Sequence, residues 1–139
     1  MLKNIPSIIS PDLLCALSEM GHGDTLVIAD GNFPSATMAS NKLVRLDGHC
    51  AVDVLDAILK FFPLDTASKD VVSVMVSDDN SKIEIFDDYQ RIIDKYENNI
   101  VFNKFDRNTF YNESKKAYVI VATSEVKLYA NIILKKGCV

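Results

Sequence analysis

The chain has 139 residues, 48% of them hydrophobic and 24% charged, and its formal net charge is −4. This size and composition predict one globular domain spanning residues 1–139, and the negative charge argues against nucleic acid or an anionic membrane as a partner. No apolar run approaches the ~18 residues of a membrane span. Three cysteines without the spacing of a disulfide framework or a metal site, and a start without the apolar core of a signal peptide, predict a cytoplasmic protein.

Apolar periodicity and turn residues divide the chain into helices and strands that alternate. In chain order, the predicted elements are a helix from Ser10 to Gly21, a strand over Leu26–Ala29, a loop or short turn over residues 35–41, a strand over Lys42–Leu46, a helix from Cys50 to Phe62, a strand from Asp70 to Ser77, a helix from Phe86 to Tyr96, a short strand from Val101 to Phe105, a helix from Arg107 to Lys115, and strands over Ala117–Ala122 and Asn131–Leu134.

Strands that alternate with helices indicate an α/β fold with a largely parallel sheet. We therefore predict a single domain with a three-layer α/β/α arrangement around a mostly parallel central sheet. The last two strands are joined through Ser124 and Glu125 by a connection too short for a typical parallel crossover. The sheet is accordingly expected to be mixed, with a change of strand direction near the end of the chain.

A histidine between two glycines stands out in the segment Gly21-His22-Gly23-Asp24, which joins the first helix to the first strand. Histidine has an unperturbed pKa of about 6.5, which suits general acid–base catalysis near neutral pH. A loop histidine more often only caps the preceding helix, so the residues alone leave both interpretations open. Asp24 is expected to fix this loop through backbone amides. The second histidine, His49, is expected to serve a turn or a helix cap.

Asp30 follows the first strand. It is therefore expected at the edge of the sheet that the carboxyl ends of the strands form, where open α/β sheets bind their ligands. It is a candidate for accepting hydrogen bonds from ligand hydroxyl groups, and equally a candidate for capping the turn before Phe33 and Pro34. His22 precedes this strand and Asp30 follows it. The two side chains therefore need not meet, unless loops or a second subunit bring them together.

Three further polar side chains near the carboxyl end are candidates for ligand contacts. Arg107 offers a fork of donors to ligand oxygens, although a surface ion pair with Asp106 or Glu113 is the commoner use of such an arginine. Tyr129 and Asn131 flank a small residue and project on the same face if this segment is extended. A phenol beside an amide suits the recognition of hydroxyl groups, and a half-buried strand edge is the alternative interpretation.

Several segments together resemble the L-fucose mutarotase and D-ribose pyranase family. They are Gly21-His22-Gly23-Asp24, residues 28–34 (Ile-Ala-Asp-Gly-Asn-Phe-Pro), residues 54–59 with Pro63-Leu64-Asp65, Lys116-Ala117-Tyr118 with Ala122-Thr123, and residues 129–137 (Tyr-Ala-Asn-Ile-Ile-Leu-Lys-Lys-Gly). The resemblance covers essentially the whole chain. Ser124 and Ala130 depart from it, since both stand where glycine is expected in many relatives.

The resemblance implies an enzyme that interconverts the α and β anomers of a free monosaccharide by opening and reclosing the sugar ring. It implies that His22 is the proton donor. It implies sugar contacts for Asp30, Arg107, Tyr129, Ala130 and Asn131, without a metal or a cofactor. It also implies a ring-like homo-oligomer with sites between subunits, for which a decamer is the first expectation. A D-ribose pyranase and a non-catalytic monosaccharide-binding module remain the alternatives.

Overall fold

Six strands form one mixed sheet in the computed structural model, which describes all 139 residues. They are β1 (Thr25–Ala29), β2 (Lys42–Leu46), β3 (Val72–Met75), β4 (Asn103–Phe105), β5 (Val119–Thr123) and β6 (Ile132–Lys135), in the spatial order β2-β5-β1-β6-β3-β4. Strand β6 is antiparallel to its neighbours β1 and β3, and the other strand pairs are parallel. Five strands therefore run in one direction and β6 alone runs against them, which confirms the expectation of a mixed sheet.

Helices cover both faces of this sheet. They are α1 (Pro11–Glu19), α2 (Ser35–Met38), α3 (Ala51–Leu59), α4 (Ile85–Ile93) and α5 (Arg107–Lys116). Leu26 and Ile28 of β1 belong to a large apolar core with α1, α3 and α4, whereas Val27 and Ala29 belong to a smaller core with Phe110 of α5. Because successive side chains of a strand point to opposite faces, this division confirms the three-layer α/β/α arrangement.

Local capping explains where two of the helices begin. The Ser10 hydroxyl accepts a hydrogen bond from the Leu13 amide at 3.2 Å, and the Asp106 carboxylate accepts one from the Thr109 amide at 2.7 Å. Both contacts satisfy amide groups that the first turn of a helix leaves without a partner. None of the five helices is long and apolar enough to cross a bilayer.

Most element boundaries differ by a few residues from the sequence predictions, and some of the differences have a local reason. A one-turn helix, α2, occupies the segment predicted as a loop or short turn. Strand β4 begins at Asn103 because Val101 is 80% exposed and has no strand beside it. Helix α4 ends at Ile93, since Lys95 and Tyr96 form bonds of the i to i+3 type rather than continuing the helix. Strand β3 is also shorter than predicted, covering Val72–Met75.

The reversal of β6 decides which side chains share an edge of the sheet. The carboxyl ends of β1 and β4 lie at one edge, where Asp30 and Arg107 follow them, and the amino end of β6 brings Asn131 to the same edge. His22 precedes β1 and therefore lies at the opposite edge, beside Lys136 at the end of β6. The fold thus separates the candidate acid–base residue from the other candidate residues within one chain.

Gly137 is the glycine whose replacement is expected to disturb the fold most. Its amide donates to the Pro63 carbonyl at 2.9 Å, and an added Cβ would lie 2.5 Å from the Leu64 carbonyl oxygen and 2.9 Å from the Asp65 Cα. We expect Gly137→Ala to lower the free energy of unfolding by about 1–3 kcal/mol, because backbone atoms must move apart. Urea unfolding measures this change.

Gly21→Ala is the matched control for that substitution. The nearest atom to its added Cβ is a carboxylate oxygen of Asp24 at 3.8 Å, an ordinary contact. We expect the unfolding free energy to stay within about 0.5 kcal/mol of wild type, or to rise slightly because alanine restricts the unfolded chain. Equal urea midpoints for the two alanine variants would contradict the close packing of Gly137 on residues 63–65.

Candidate functional site

A cavity of about 290 Å³ lies at the edge of the sheet where β1 and β4 end, and we call it the strand-end cavity. Its polar lining comprises Asp30, Asn32, Arg107, Tyr129 and Asn131, and its apolar lining comprises Phe33, Met75, Tyr111 and Leu128. Four of the residues predicted to contact a ligand therefore meet here. A larger cavity of about 690 Å³ beside α4 and β4 contains none of the predicted residues, so its size alone does not make it the candidate site.

Asp30 and Asn131 form a buried, reciprocal pair in the strand-end cavity, with 5% and 3% of their surfaces exposed. The Asp30 amide donates to the Asn131 side-chain oxygen at 2.8 Å, and the Asn131 side-chain nitrogen donates to Asp30 Oδ2 at 2.9 Å. Asp30 Oδ1 also accepts from the amides of Asn32 and Phe33, both at 2.9 Å. Asp30 therefore caps the turn, as one interpretation predicted. A carboxylate has about four lone-pair sites, so it retains capacity for a ligand hydroxyl.

Arg107 is held at the mouth of the cavity by two partners. One guanidinium nitrogen donates to Asp78 Oδ2 at 2.6 Å and to the Tyr129 hydroxyl at 3.2 Å. The hydrogen bond to Tyr129 and the charge of Asp78 raise the pKa of Arg107, so its charge is maintained. The expected alternative, an ion pair with Asp106 or Glu113, is not formed. Asp106 instead caps α5, and Glu113 pairs with a lysine one turn further along.

The segment that contains Tyr129, Ala130 and Asn131 is a turn followed by the start of β6, and not an extended strand. Tyr129 has a φ of 58°, in the left-handed region, which costs about 1 kcal/mol for a residue with a Cβ. The condition under which Tyr129 and Asn131 would share one face of a strand is therefore not met. Both side chains nevertheless line the strand-end cavity, whereas Ala130 is fully buried in the large core and does not line it.

His22 lies at the other edge of the sheet. Its Nε2 is 3.4 Å from Asp65 Oδ2, and its side chain is 62% exposed. The turn that carries it is paired with the end of β6, because the Gly23 amide donates to the Lys136 carbonyl at 2.8 Å. Asp24 accepts a hydrogen bond from the Gly21 amide at 2.7 Å and so fixes this turn, as expected.

His22 and Asp30 do not meet within one chain. The five residues of β1 separate them, and at about 3.3 Å per residue this places them on the order of 15 Å apart. His22 instead borders a second cavity of about 490 Å³. Apolar side chains of α1 and of the segment before Pro63 form much of this cavity, together with the last residues of the chain. The second histidine, His49, is exposed in a turn, as expected for a turn residue.

Asp65 is a candidate residue to which the sequence assigned no role. The resemblance included it within Pro63-Leu64-Asp65, but no spacing rule connects it with His22. In the fold, the Asp65 amide donates to the Lys135 carbonyl at 3.0 Å, and this places its carboxylate beside the imidazole. A carboxylate next to one ring nitrogen orients a histidine and selects its tautomer. The pairing becomes visible only once residues 63–65 are placed against the end of β6.

The fold and these two groups define an α/β protein with a polar cavity at one sheet edge and a histidine–aspartate pair at the other. The chain belongs to the RbsD / FucU transport protein family, whose model matches residues 3–139. This confirms the family that the sequence motifs resemble.

The matches to known relatives cover essentially the whole chain. A fucose mutarotase from Danio rerio is 41% identical over 145 residues, covering 100% of this chain and 95% of the relative. The crystal structure of a fucose mutarotase from Streptococcus pneumoniae in complex with L-fucose has a TM-score of 0.94 and 48% identity, covering 99% of both chains. Bacillus subtilis RbsD complexed with D-ribose, at 20% identity and a TM-score of 0.78 over 100% of this chain and 99% of that one, shares the fold.

The buried pair of Asp30 and Asn131 leads to a testable pH dependence. In Asn131→Asp, a carboxylate oxygen replaces the nitrogen that lies 2.9 Å from Asp30 Oδ2. Two adjacent carboxylates favour binding of a proton, so the pKa of the pair is raised in the folded variant. The loss of stability relative to wild type is therefore smallest at low pH and grows as the pH rises. We expect a loss of about 2–4 kcal/mol at pH 8 and a smaller loss at pH 5, measured by urea unfolding.

Asn112→Asp provides the control for this change of charge. Asn112 lies on the exposed face of α5, where water screens an added carboxylate. Its unfolding free energy is expected to stay within about 0.5 kcal/mol of wild type at both pH values. A variant Asn131→Asp as stable at pH 8 as at pH 5 would show that the two side chains are not in contact.

Proposed function

We propose that this chain interconverts the α and β anomers of L-fucose. The observation that carries the proposal is the similarity over 99% of both chains to the S. pneumoniae fucose mutarotase in complex with L-fucose. The named relatives in vertebrates and bacteria support the same activity. The two groups of side chains at the sheet edges supply the chemistry that the reaction needs.

Interconversion of anomers needs proton transfer at two oxygens of the sugar. A proton leaves the anomeric hydroxyl and another reaches the ring oxygen, the bond between C1 and the ring oxygen breaks, and an aldehyde forms. Rotation about the bond between C1 and C2 presents the other face of the aldehyde, and the ring closes again with the protons returned. We propose that His22 donates a proton to the ring oxygen, since an imidazole exchanges protons readily near neutral pH, and that water takes the proton from the anomeric hydroxyl. Asp65 orients the ring of His22.

We propose that the strand-end cavity holds the sugar. The free acceptor capacity of Asp30, the guanidinium of Arg107 and the hydroxyl of Tyr129 suit the hydroxyl groups of a monosaccharide. The apolar lining of the cavity, with Phe33 and Met75 among its members, suits the methyl group of a 6-deoxy sugar. D-ribose has no such methyl group, and this difference favours L-fucose as the substrate.

One chain cannot bring both groups to the same sugar, and we propose that a second copy completes the site. The exposure of His22 and the apolar lining of its cavity support a partner surface at that edge of the sheet. We propose a homo-oligomer in which His22 of one subunit faces the strand-end cavity of its neighbour, with a decamer as the starting hypothesis. The three free cysteines support a reducing, cytoplasmic location.

Substitution of His22 by glutamine tests the acid–base role. Glutamine retains hydrogen bonding and cannot exchange a proton near neutral pH, so we expect the rate of anomer exchange to fall by about 10²–10⁴-fold while fucose binding persists. Saturation-transfer NMR measures this exchange for L-fucose and D-ribose separately. His49→Gln, which changes the exposed turn histidine, is the control and is expected to leave the rate unchanged.

The wild-type protein decides between the alternatives in the same experiment. Faster exchange of the fucose anomers supports the proposal. Acceleration of pyranose–furanose exchange of ribose alone would make the protein a ribose pyranase acting through the same open chain. Binding of fucose without acceleration of either sugar would leave a non-catalytic monosaccharide-binding module.

A mixing experiment tests whether the site is shared between subunits. His22→Gln and Arg107→Ala each disable one half of every shared site, so each variant alone is expected to be nearly inactive. After the two are unfolded and refolded together, about one quarter of the sites contain both intact halves, and a comparable fraction of wild-type activity returns.

The control mixture joins His22→Gln with Asp65→Asn, two changes on the same half of the site. This mixture is expected to have only the mean activity of its two components. Activity of the first mixture no higher than the mean of its own components would count against a site built from two subunits.

A further inference from the structure

We infer that Tyr89, which does not line the strand-end cavity, is a positioning residue that holds the peptide group between Ala130 and Asn131 in its sugar-binding arrangement. The inference rests on the proposed binding of a sugar in that cavity. Tyr89 belongs to α4, in the helix layer packed on the large core, and its side chain is fully buried. It reaches the sheet edge through its hydroxyl group.

The Tyr89 hydroxyl donates a hydrogen bond to the Ala130 carbonyl at 2.8 Å. This is the one hydrogen bond that the Ala130 carbonyl accepts, because β6 pairing starts two residues later, at Ile132. Ala130 is fully buried, so no water replaces the donor. The carbonyl lies in the peptide group that links Ala130 to Asn131, and its direction therefore sets the position of the Asn131 Cα.

The residues on either side of Ala130, Tyr129 and Asn131, both line the strand-end cavity, so the contact with Tyr89 affects the shape of that cavity. Tyr129 has a left-handed backbone, with a φ of 58°, which a tyrosine adopts only when the surroundings hold it. Asn131 must place both side-chain atoms against Asp30, at 2.8 and 2.9 Å. A hydrogen bond to the Ala130 carbonyl fixes the backbone that joins Tyr129 to Asn131 and so restrains both side chains.

Two features make Tyr89 a constant donor. Burial raises the pKa of its hydroxyl, and the nearby carboxylates Glu125 and Asp30 raise it further. The hydroxyl therefore stays protonated across any pH at which the protein is assayed, and the effect of removing it is expected to be independent of pH.

Tyr96 offers a matched control one turn beyond the end of α4. Its hydroxyl lies 3.0 Å from Asp56 Oδ1 and 3.3 Å from the Asp56 carbonyl, on α3 and away from the strand-end cavity. Tyr89→Phe and Tyr96→Phe each remove one hydroxyl group and keep the ring. If Tyr89 had only a structural role, Tyr89→Phe would lower stability without changing the affinity for the sugar. A positioning role predicts a change in affinity as well, so the two roles can be separated.

The test compares wild type, Tyr89→Phe and Tyr96→Phe in three measurements: KM and kcat for fucose anomer exchange by NMR, the fucose Kd by calorimetry, and urea unfolding. We expect Tyr89→Phe to raise KM and Kd by about three- to tenfold, with a smaller effect on kcat, at every pH examined. Tyr96→Phe is expected to leave KM and Kd unchanged. Unchanged KM and Kd in folded Tyr89→Phe would overturn the inference.

The outcome is distinguishable from failure of the proposed function. If wild type binds fucose without accelerating its exchange, the enzyme proposal fails and the Kd comparison still tests Tyr89. If wild type does not bind fucose, the side-chain amide signals of Asn131, in protein labelled with ¹⁵N-asparagine, provide the test. Tyr89→Phe is expected to shift these signals and Tyr96→Phe to leave them in place. Unshifted Asn131 signals in Tyr89→Phe would overturn the inference independently of any ligand.

Discussion

The arrangement of this protein depends on the antiparallel entry of β6 between β1 and β3. Parallel strands place all their carboxyl ends at one edge of a sheet, and a single reversed strand brings its own beginning to that edge. Asn131 therefore meets Asp30, and Tyr129 meets Arg107. The end of β6 reaches the opposite edge, where it pairs with the turn that carries His22. One change of strand direction thus organises both groups of candidate residues.

Burial explains why the polar groups at the strand-end cavity are so closely interconnected. A buried polar atom without a partner is costly, and every buried side-chain nitrogen and oxygen in this chain has one. The Asp30 carboxylate accepts hydrogen bonds from the turn and from the Asn131 side-chain nitrogen, and the Asp30 amide donates to the Asn131 side-chain oxygen. The same contacts that stabilise the fold thereby orient the groups proposed to meet a sugar. The structural role and the proposed binding role fall on the same atoms.

The separation of the two groups has a consequence for assembly. Strand β1 is extended, so a side chain that precedes it cannot reach a ligand bound at its carboxyl end. Within one chain, the histidine–aspartate pair and the strand-end cavity therefore stay apart, as two halves of the proposed site. In the proposed ring-like homo-oligomer, the same contact between unlike surfaces repeats around the ring, so each subunit would give one half of a site and receive the other. Such an arrangement couples the proposed activity to association of the subunits.

Much of the fold could be predicted because its signals are local. Apolar runs, helix caps and connection lengths depend on residues close together in the chain. They located the main helices and strands, the change of strand direction, and Asp30 at the carboxyl end of the first strand. The residue types at His22 and Arg107 indicated possible chemistry, but the local pattern left each with an ordinary structural alternative. The resemblance over the whole chain, and not the periodicity, favoured the site.

The tertiary structure alone decided which of these residues meet. Asp30 and Asn131 are 101 positions apart, and Tyr89 and Ala130 are 41 apart. The left-handed turn at Tyr129 and the placement of Asp65 beside His22 likewise follow from strand pairing and from packing against other segments. The sequence by itself determined the elements and the edge of the sheet, because those depend on neighbouring residues. The hydrogen-bond partners of these residues and the distances between them could be read only from the folded chain. Hydrogen bonds between distant segments leave no periodic pattern in the sequence.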